Sequence, residues 1–158
     1  MDPVKRALSM MEALGIEGEL IEHEVSGRTS EGASEALGVP LSRILKSLVF
    51  VERGRFVFVI ISGDRRVSLK KLRSVSGLKR PRLARRDEIL SLLGYEPGGI
   101  PPFAFYGILP CYIDRILTSL EWVVGSAGSE YVGVKLNPRD LVRIGCEPHE
   151  ISERVDGP

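Results

Sequence analysis

The strongest constraint on this chain is the segment from Ile44 to Ile61, two runs rich in β-branched and aromatic residues separated by Arg53-Gly54. A two-residue connection ending in glycine suits the positive φ of a tight hairpin turn, so strands are predicted over 44–52 and 55–61. Both strands read as buried, and a chain of 158 residues with 43% apolar content is long enough to enclose them without disulfide support. The longest unbroken apolar run, Phe56 to Ile61, falls far short of the about 20 residues that cross a bilayer. Met1-Asp2-Pro3 has neither the basic start nor the hydrophobic stretch of a targeting segment. A soluble, cytoplasmic protein with no membrane partner is expected.

Shorter elements surround the hairpin. Asp2 caps a helix whose first turn accepts Pro3, and Val4, Ala7, Leu8, Met11 and Leu14 follow at helical spacing until Gly15. A strand is predicted over Glu19 to Val25, then a helix opening at Thr29 or Ser30 and stopping at Gly38. After the hairpin, Ser62-Gly63-Asp64 breaks the pattern and Ser68 caps a basic helix with Leu69, Leu72 and Val75 inward. Asp87 is expected to cap a helix closed by Gly94, and the Gly- and Pro-rich segment from Tyr95 to Pro102 must be a shaped loop. Further strands are predicted over Pro110 to Asp114, Glu121 to Gly125 and Tyr131 to Leu136, with a helical turn from Asn137-Pro138. With no repeat or linker, residues 1–158 read as one α+β domain of six or seven strands and short helices, not a doubly wound parallel sheet.

Several chemistries are disfavoured at once. Cys111 and Cys146 lie 35 positions apart with no CxxC, and His23 and His149 are the only histidines, too few for a zinc site. His23 reads as a surface strand residue, with a place in the lining of a pocket as the alternative, and His149 as a tail residue; neither sits in a nucleophilic triad motif. An enzyme built on this chain is expected to work without metal, cofactor or triad. The net charge of +1 hides a strong asymmetry, because ten of the 22 cations fall between Arg65 and Arg86 with no carboxylate among them. From Glu12 to Glu35 seven glutamates face a single Arg28. The basic run fits nucleic-acid phosphate, or a solvated helix facing the acidic N-terminal segment, and the two are compatible.

Two places carry candidate chemistry. Lys46 interrupts an otherwise apolar strand, where an ammonium is costly to bury. It either snorkels to water or stands at the mouth of a pocket, where it could hold a carbonyl or phosphate oxygen. The loop Gly98-Gly99-Ile100-Pro101-Pro102 is either a rigid turn or a cradle of bare backbone N–H groups stiffened by proline. Tyr95, Phe103, Phe105 and Tyr106 flank it, suited to the core or to stacking on a nucleobase.

Taken in order, these motifs resemble the YbaK/prolyl-tRNA editing domain family. The resemblance rests on Thr29-Ser30 before an Ala-rich helix, Leu37-Gly38-Val39-Pro40, Ile44 to Phe50, Gly63-Asp64, Val67 to Leu72, and Gly94-Tyr95 before Gly98 to Pro102. Ile113-Asp114 and Ser126-Ala127-Gly128 extend it over nearly the whole chain. It implies a mixed, barrel-like sheet flanked by helices and a trans-acting deacylase that hydrolyses the ester of a mischarged aminoacyl-tRNA, tRNA-Pro or one carrying a wrong small amino acid, with a synthetase as possible partner. Lys46 stands at the family's functional lysine, and Gly98 to Pro102 matches its GxxxP loop, in which Gly98 and Gly99 would orient the carbonyl. Thr29, Ser47, Ile100, Pro101, Pro102, Asp114, Ser126 and Gly128 would complete the aminoacyl site. Arg65, Arg66, Lys70, Lys71, Lys79 and Arg80 would meet acceptor-stem phosphates. Ser129-Glu130-Tyr131 departs from the family, lacking the histidine of some synthetase-inserted members, and Gly133 lacks the acidic group of others. An activated ester needs a positioned water and an oxyanion site more than a strong nucleophile, so a histidine-poor site suffices. The competing classes are a non-catalytic adaptor for tRNA or synthetase, and a binder of a small nucleotide or amino acid.

Overall fold

The computed structural model describes residues 2–24 and 26–155. Helix α1 (Pro3–Ala13) begins where Asp2 accepts the N–H of Val4 at 2.7 Å, and it buries Ala7 and Met11. Strand β1 (Gly18–Glu22) is shorter than the Glu19 to Val25 expectation, whose last residue lies outside the described residues. Helix α2 (Ser30–Leu37) is capped by the Thr29 hydroxyl, which accepts the Gly32 N–H at 3.0 Å, and ends on Gly38 in the left-handed region.

The predicted hairpin is present as β2 (Leu45–Glu52) and β3 (Arg55–Ser62), turning through Arg53 at φ 48° and Gly54 at φ 76°. After it come β4 (Arg65–Val67), α3 (Leu69–Ser76), β5 (Arg82–Leu83), α4 (Arg86–Leu93), β6 (Cys111–Asp114), β7 (Val123–Ser129), β8 (Val132–Leu136), α5 (Pro138–Arg143), β9 (Glu147–His149) and β10 (Ser152–Arg154). The main sheet runs β5-β2-β3-β6-β9, with β6 parallel to both β3 and β9. A second sheet runs β1-β8-β7, a third pairs β10 with β4, and a parallel bridge from Ile44 to Val124 joins the first two. The result is a barrel-like α+β fold. Among the described residues ten strands replace the six or seven expected, because β4, β5, β9 and β10 have only two or three residues and carry no readable periodicity.

The missing alternation in the hairpin has a packing cause. Leu45, Val49, Phe58 and Ile60 face one hydrophobic cluster, while Phe50, Val57, Val59 and Ile61 face another that includes Leu72 and Ile151. Both faces of the sheet are thus apolar, as in a buried central pair.

Three sequence expectations are corrected, and one cysteine pairing that the sequence left open is added. Leu69 is 41% exposed, so Leu72 and not Leu69 anchors α3. The cap of α4 is Arg85, whose N–H donates to the Glu88 carboxylate at 2.8 Å, while Asp87 faces the Arg85 side chain. His149 is no tail residue but ends β9, half-buried with its ring centroid 5.8 Å from that of Tyr112. Cys111 and Cys146 form a disulfide between the start of β6 and the turn after α5. No helix among the described residues is long and apolar enough to cross a membrane.

Candidate active site

Strand β2 is paired along its whole length by β3, but its other edge is only partly covered. Strand β5 pairs with Phe50 and Val51, and the Ala84 N–H donates to the Val49 carbonyl at 2.8 Å. Below Val49 the edge opens onto a cavity of about 300 Å³ lined by Leu45, Lys46, Ser47 and Leu48. The far walls come from Gly125 and Ser126 of β7, Gly98 and Ile100 of the glycine loop, and His23, Arg28 and Thr29 before α2.

Lys46 lies half-buried on the face of β2 opposite Leu45 and Val49. Its Nζ donates to the Arg65 carbonyl oxygen at 2.8 Å, so the ammonium is held on protein at the cavity wall. Arg65 is held in turn: its Nε donates to the Ser152 hydroxyl and lies 3.7 Å from the Asp114 carboxylate. Asp114, 3% exposed, also accepts from the Ser152 hydroxyl and lies outside the cavity lining. Its place is in the support behind Lys46, not against an aminoacyl group.

The glycine loop is shaped by its neighbours. Ser126 Oγ donates to the Gly98 carbonyl at 2.8 Å, and the Gly128 N–H donates to the Gly99 carbonyl at 2.9 Å. Gly98 has φ 90°, and a Cβ there would lie 2.9 Å from Arg28 Cγ, so only glycine lets the two walls approach this closely. The Gly98 N–H meets no acceptor among the described residues, whereas the Gly99 N–H donates to the Glu96 carbonyl at 2.9 Å. Gly99, Pro101 and Pro102 are buried outside the lining, and Gly128, half-buried, also lies outside it. Pro102 packs against Gly125, where a Cβ would lie 3.1 Å from its ring. These four residues buttress the loop, while Gly98 and Ile100 face the cavity. Tyr95, Phe103 and Phe105 are buried in the core and only Tyr106 is exposed.

His23 follows the lesser of its two sequence readings, while other lining residues were not selected from sequence at all. His23 lines the cavity, its N–H donating to the Tyr131 carbonyl at 3.0 Å and its ring so close to Gly27 that a Cβ there would lie 3.0 Å from Cε1. Arg28, Arg86 and Glu130 also reach the lining. Arg86 Nε donates to Glu96 at 2.8 Å, and this bond, with the charge of Arg28, holds the Glu96 carboxyl below its ordinary range.

The basic stretch divides in two. Arg65, Arg66, Lys71, Arg82, Arg85 and Arg86 each face a carboxylate, from Asp114, Glu153, Glu150, Glu88, Asp87 and Glu96. None of these acids belongs to the N-terminal segment that the sequence offered as counterpart. Lys70, Arg73, Lys79 and Arg80 are exposed and their side chains have no carboxylate partner among the described residues, although the backbone N–H groups of Lys79 and Arg80 donate to the Glu52 carboxylate.

Comparison with known proteins agrees with this architecture. The sequence pattern of the aminoacyl-tRNA editing domain matches residues 24–144. The uncharacterized protein YwhH of Bacillus subtilis (strain 168) is 35% identical over 126 residues, covering 79% of this chain and 80% of YwhH. Proline--tRNA ligase of Xanthomonas campestris pv. campestris (strain 8004) is 33% identical over 127 residues, which are 80% of this chain but 22% of the ligase. Among solved structures, the hypothetical protein APE2540 superposes with a TM-score of 0.86 at 33% identity, covering 94% of this chain and 99% of that one. A proposed trans-editing enzyme for prolyl tRNA synthetase superposes with a TM-score of 0.83 at 28% identity, covering 97% and 99%. With the editing-domain pattern spanning both the β2 edge and the glycine loop, the chain belongs to the aminoacyl-tRNA editing domain family.

Proposed function

We propose that residues 1–158 act as one cytoplasmic editing domain that, without metal or cofactor, hydrolyses the ester of a mischarged aminoacyl-tRNA supplied in trans. The observation that carries this reading is that Lys46 and Gly98, from elements far apart in the chain, line one cavity at the open edge of β2. Water attacks the ester carbonyl, and the Gly98 N–H and the Lys46 ammonium stabilise the developing oxyanion. The acyl carbon–oxygen bond then breaks, the free amino acid leaves, and the terminal ribose oxygen takes a proton. A neighbouring ribose hydroxyl orients the water, and Thr29, Ser47 and Ser126 supply hydroxyls around the acyl group.

The cavity's volume of about 300 Å³ and its Ile44, Leu45, Val49 and Val124 side chains suit a small, uncharged amino acid. Such discrimination is needed because one methylene separates substrates by only about 1–3 kcal/mol at a synthetic site, leaving errors for a second site to remove. Lys70, Arg73, Lys79 and Arg80 form the phosphate-binding surface, a narrower set than the whole basic stretch. The tRNA is that of proline, and a prolyl-tRNA synthetase is the natural source of the substrate. The test is amino-acid release from a panel of mischarged tRNAs, with free aminoacyl esters and uncharged tRNA as controls. Turnover of one mischarged prolyl tRNA supports the reading; binding without turnover replaces it with an adaptor.

A further inference from the structure

The two-residue turn makes Glu52 and Arg55 a pair that exchanges both backbone hydrogen bonds, and the unbroken register continues this alternation along β2. The N–H and C=O groups of Phe50, Leu48 and Lys46 therefore point to β3. Those of Val51, Val49 and Ser47 point the other way, and the bond from Ala84 to the Val49 carbonyl shows this directly. Strand β5 has ended by Ser47, whose outward N–H and C=O meet no backbone partner among the described residues. This open position lies in the cavity wall, facing space bounded by Gly98 and Ser126.

An aminoacyl ester has the hydrogen-bonding pattern of one amino-acid residue: an amine donor and a carbonyl acceptor on either side of an α-carbon. We propose, on the reading of the cavity as an aminoacyl-ester site, that the substrate's acyl group pairs with the Ser47 backbone as a one-residue strand. The α-amine donates to the Ser47 carbonyl oxygen, and the ester carbonyl accepts the Ser47 N–H. Directly opposed residues of such a pair project their side chains to the same face. The substrate side chain then lies with those of Ser47, Leu45 and Val49, and the size limit follows from that wall. Ser47 thus positions substrate through its main chain, a role its hydroxyl does not reveal.

The experiment compares, in the wild-type protein, the aminoacyl-tRNA turned over fastest with its desamino counterpart, the same acyl ester without the α-amine. It also compares Ser47→Pro, which lacks the N–H but breaks no bond to β3, with Ser47→Ala, which keeps it. The expected result is a fall in kcat/KM of at least about tenfold for the desamino ester, and at least about tenfold for Ser47→Pro below Ser47→Ala. Equal turnover of the two esters overturns the pairing even if Ser47→Pro does not fold, because that arm uses the unaltered chain. Absence of turnover on every mischarged tRNA overturns instead the underlying ester-hydrolysis reading.

Discussion

The Lys46 ammonium donates to the carbonyl oxygen of Arg65 at 2.8 Å, a bond across 19 residues of sequence that sets where the cation stands at the cavity wall. Behind it, the Arg65 guanidinium is held by Ser152 and Asp114, so strands β4, β6 and β10 together support one amine. Replacing Lys46 by alanine should lower single-turnover deacylation at least about 100-fold, the scale of losing one oxyanion donor. The same change should alter urea stability by only about 1 kcal/mol, the net worth of one hydrogen bond. Unchanged turnover removes Lys46 from the reaction.

Charge reversal separates the two halves of the basic stretch. Lys70→Glu and Arg80→Glu should each weaken tRNA binding and reduce the slope of log affinity against log salt by about 1. Arg82→Gln, which frees Glu88, should lower stability and leave the slope near wild type, because that guanidinium is already engaged at 2.8 Å. Equal slopes for all three variants would place the tRNA elsewhere.

Acid sensitivity should centre on Glu88. Its hydrogen bonds to the Arg82 side chain and the Arg85 N–H lower its pKa from 4.5 to about 2. A carboxyl depressed in the folded state stabilises the fold above its unfolded pKa, and that contribution is lost as pH falls from 4.5 toward about 2. Glu52, lowered chiefly by the Lys79 and Arg80 N–H groups, adds to the trend with the same sign. Glu88→Gln should therefore flatten the dependence of the urea midpoint on pH between these values; an unaltered acid limb would contradict the assignment.

Reduction of the Cys111–Cys146 disulfide should destabilise the fold by about 3–4 kcal/mol, as expected for a bridge closing a loop of this length. Urea melts with and without reductant measure it. Both cysteines are almost wholly buried, so reduction should be slow under native conditions and fast once urea opens the fold. Identical midpoints would show that the bridge does not stabilise the protein.

Much of the architecture was legible because it rests on local chemistry. Arg53-Gly54 announces its own turn, Asp2, Thr29 and Ser68 cap the helices that follow them, and Gly38, Gly77 and Gly94 end helices in the left-handed region. Lys46 drew attention by its cost in an apolar strand, and Gly98 by the backbone freedom that its φ of 90° uses. Less was legible where the partner is distant. The carboxylates facing Arg65, Arg66 and Lys71 come from the last third of the chain, and the partner of Cys111 is 35 residues away. Their spacing carries no period.

By itself, the order of residues determined the hairpin, the helix ends, the clustering of cations and the two segments that bear candidate chemistry, since each depends on neighbours within a few positions. Only the tertiary structure decided that β5 stops short of Ser47, that His23 and not Asp114 reaches the cavity, and that Gly98 rather than Gly99 presents an amide with no acceptor among the described residues. Those outcomes depend on which strand edge is left uncovered when separate sheets pack together, and that is set by burial of the whole core rather than by any local preference.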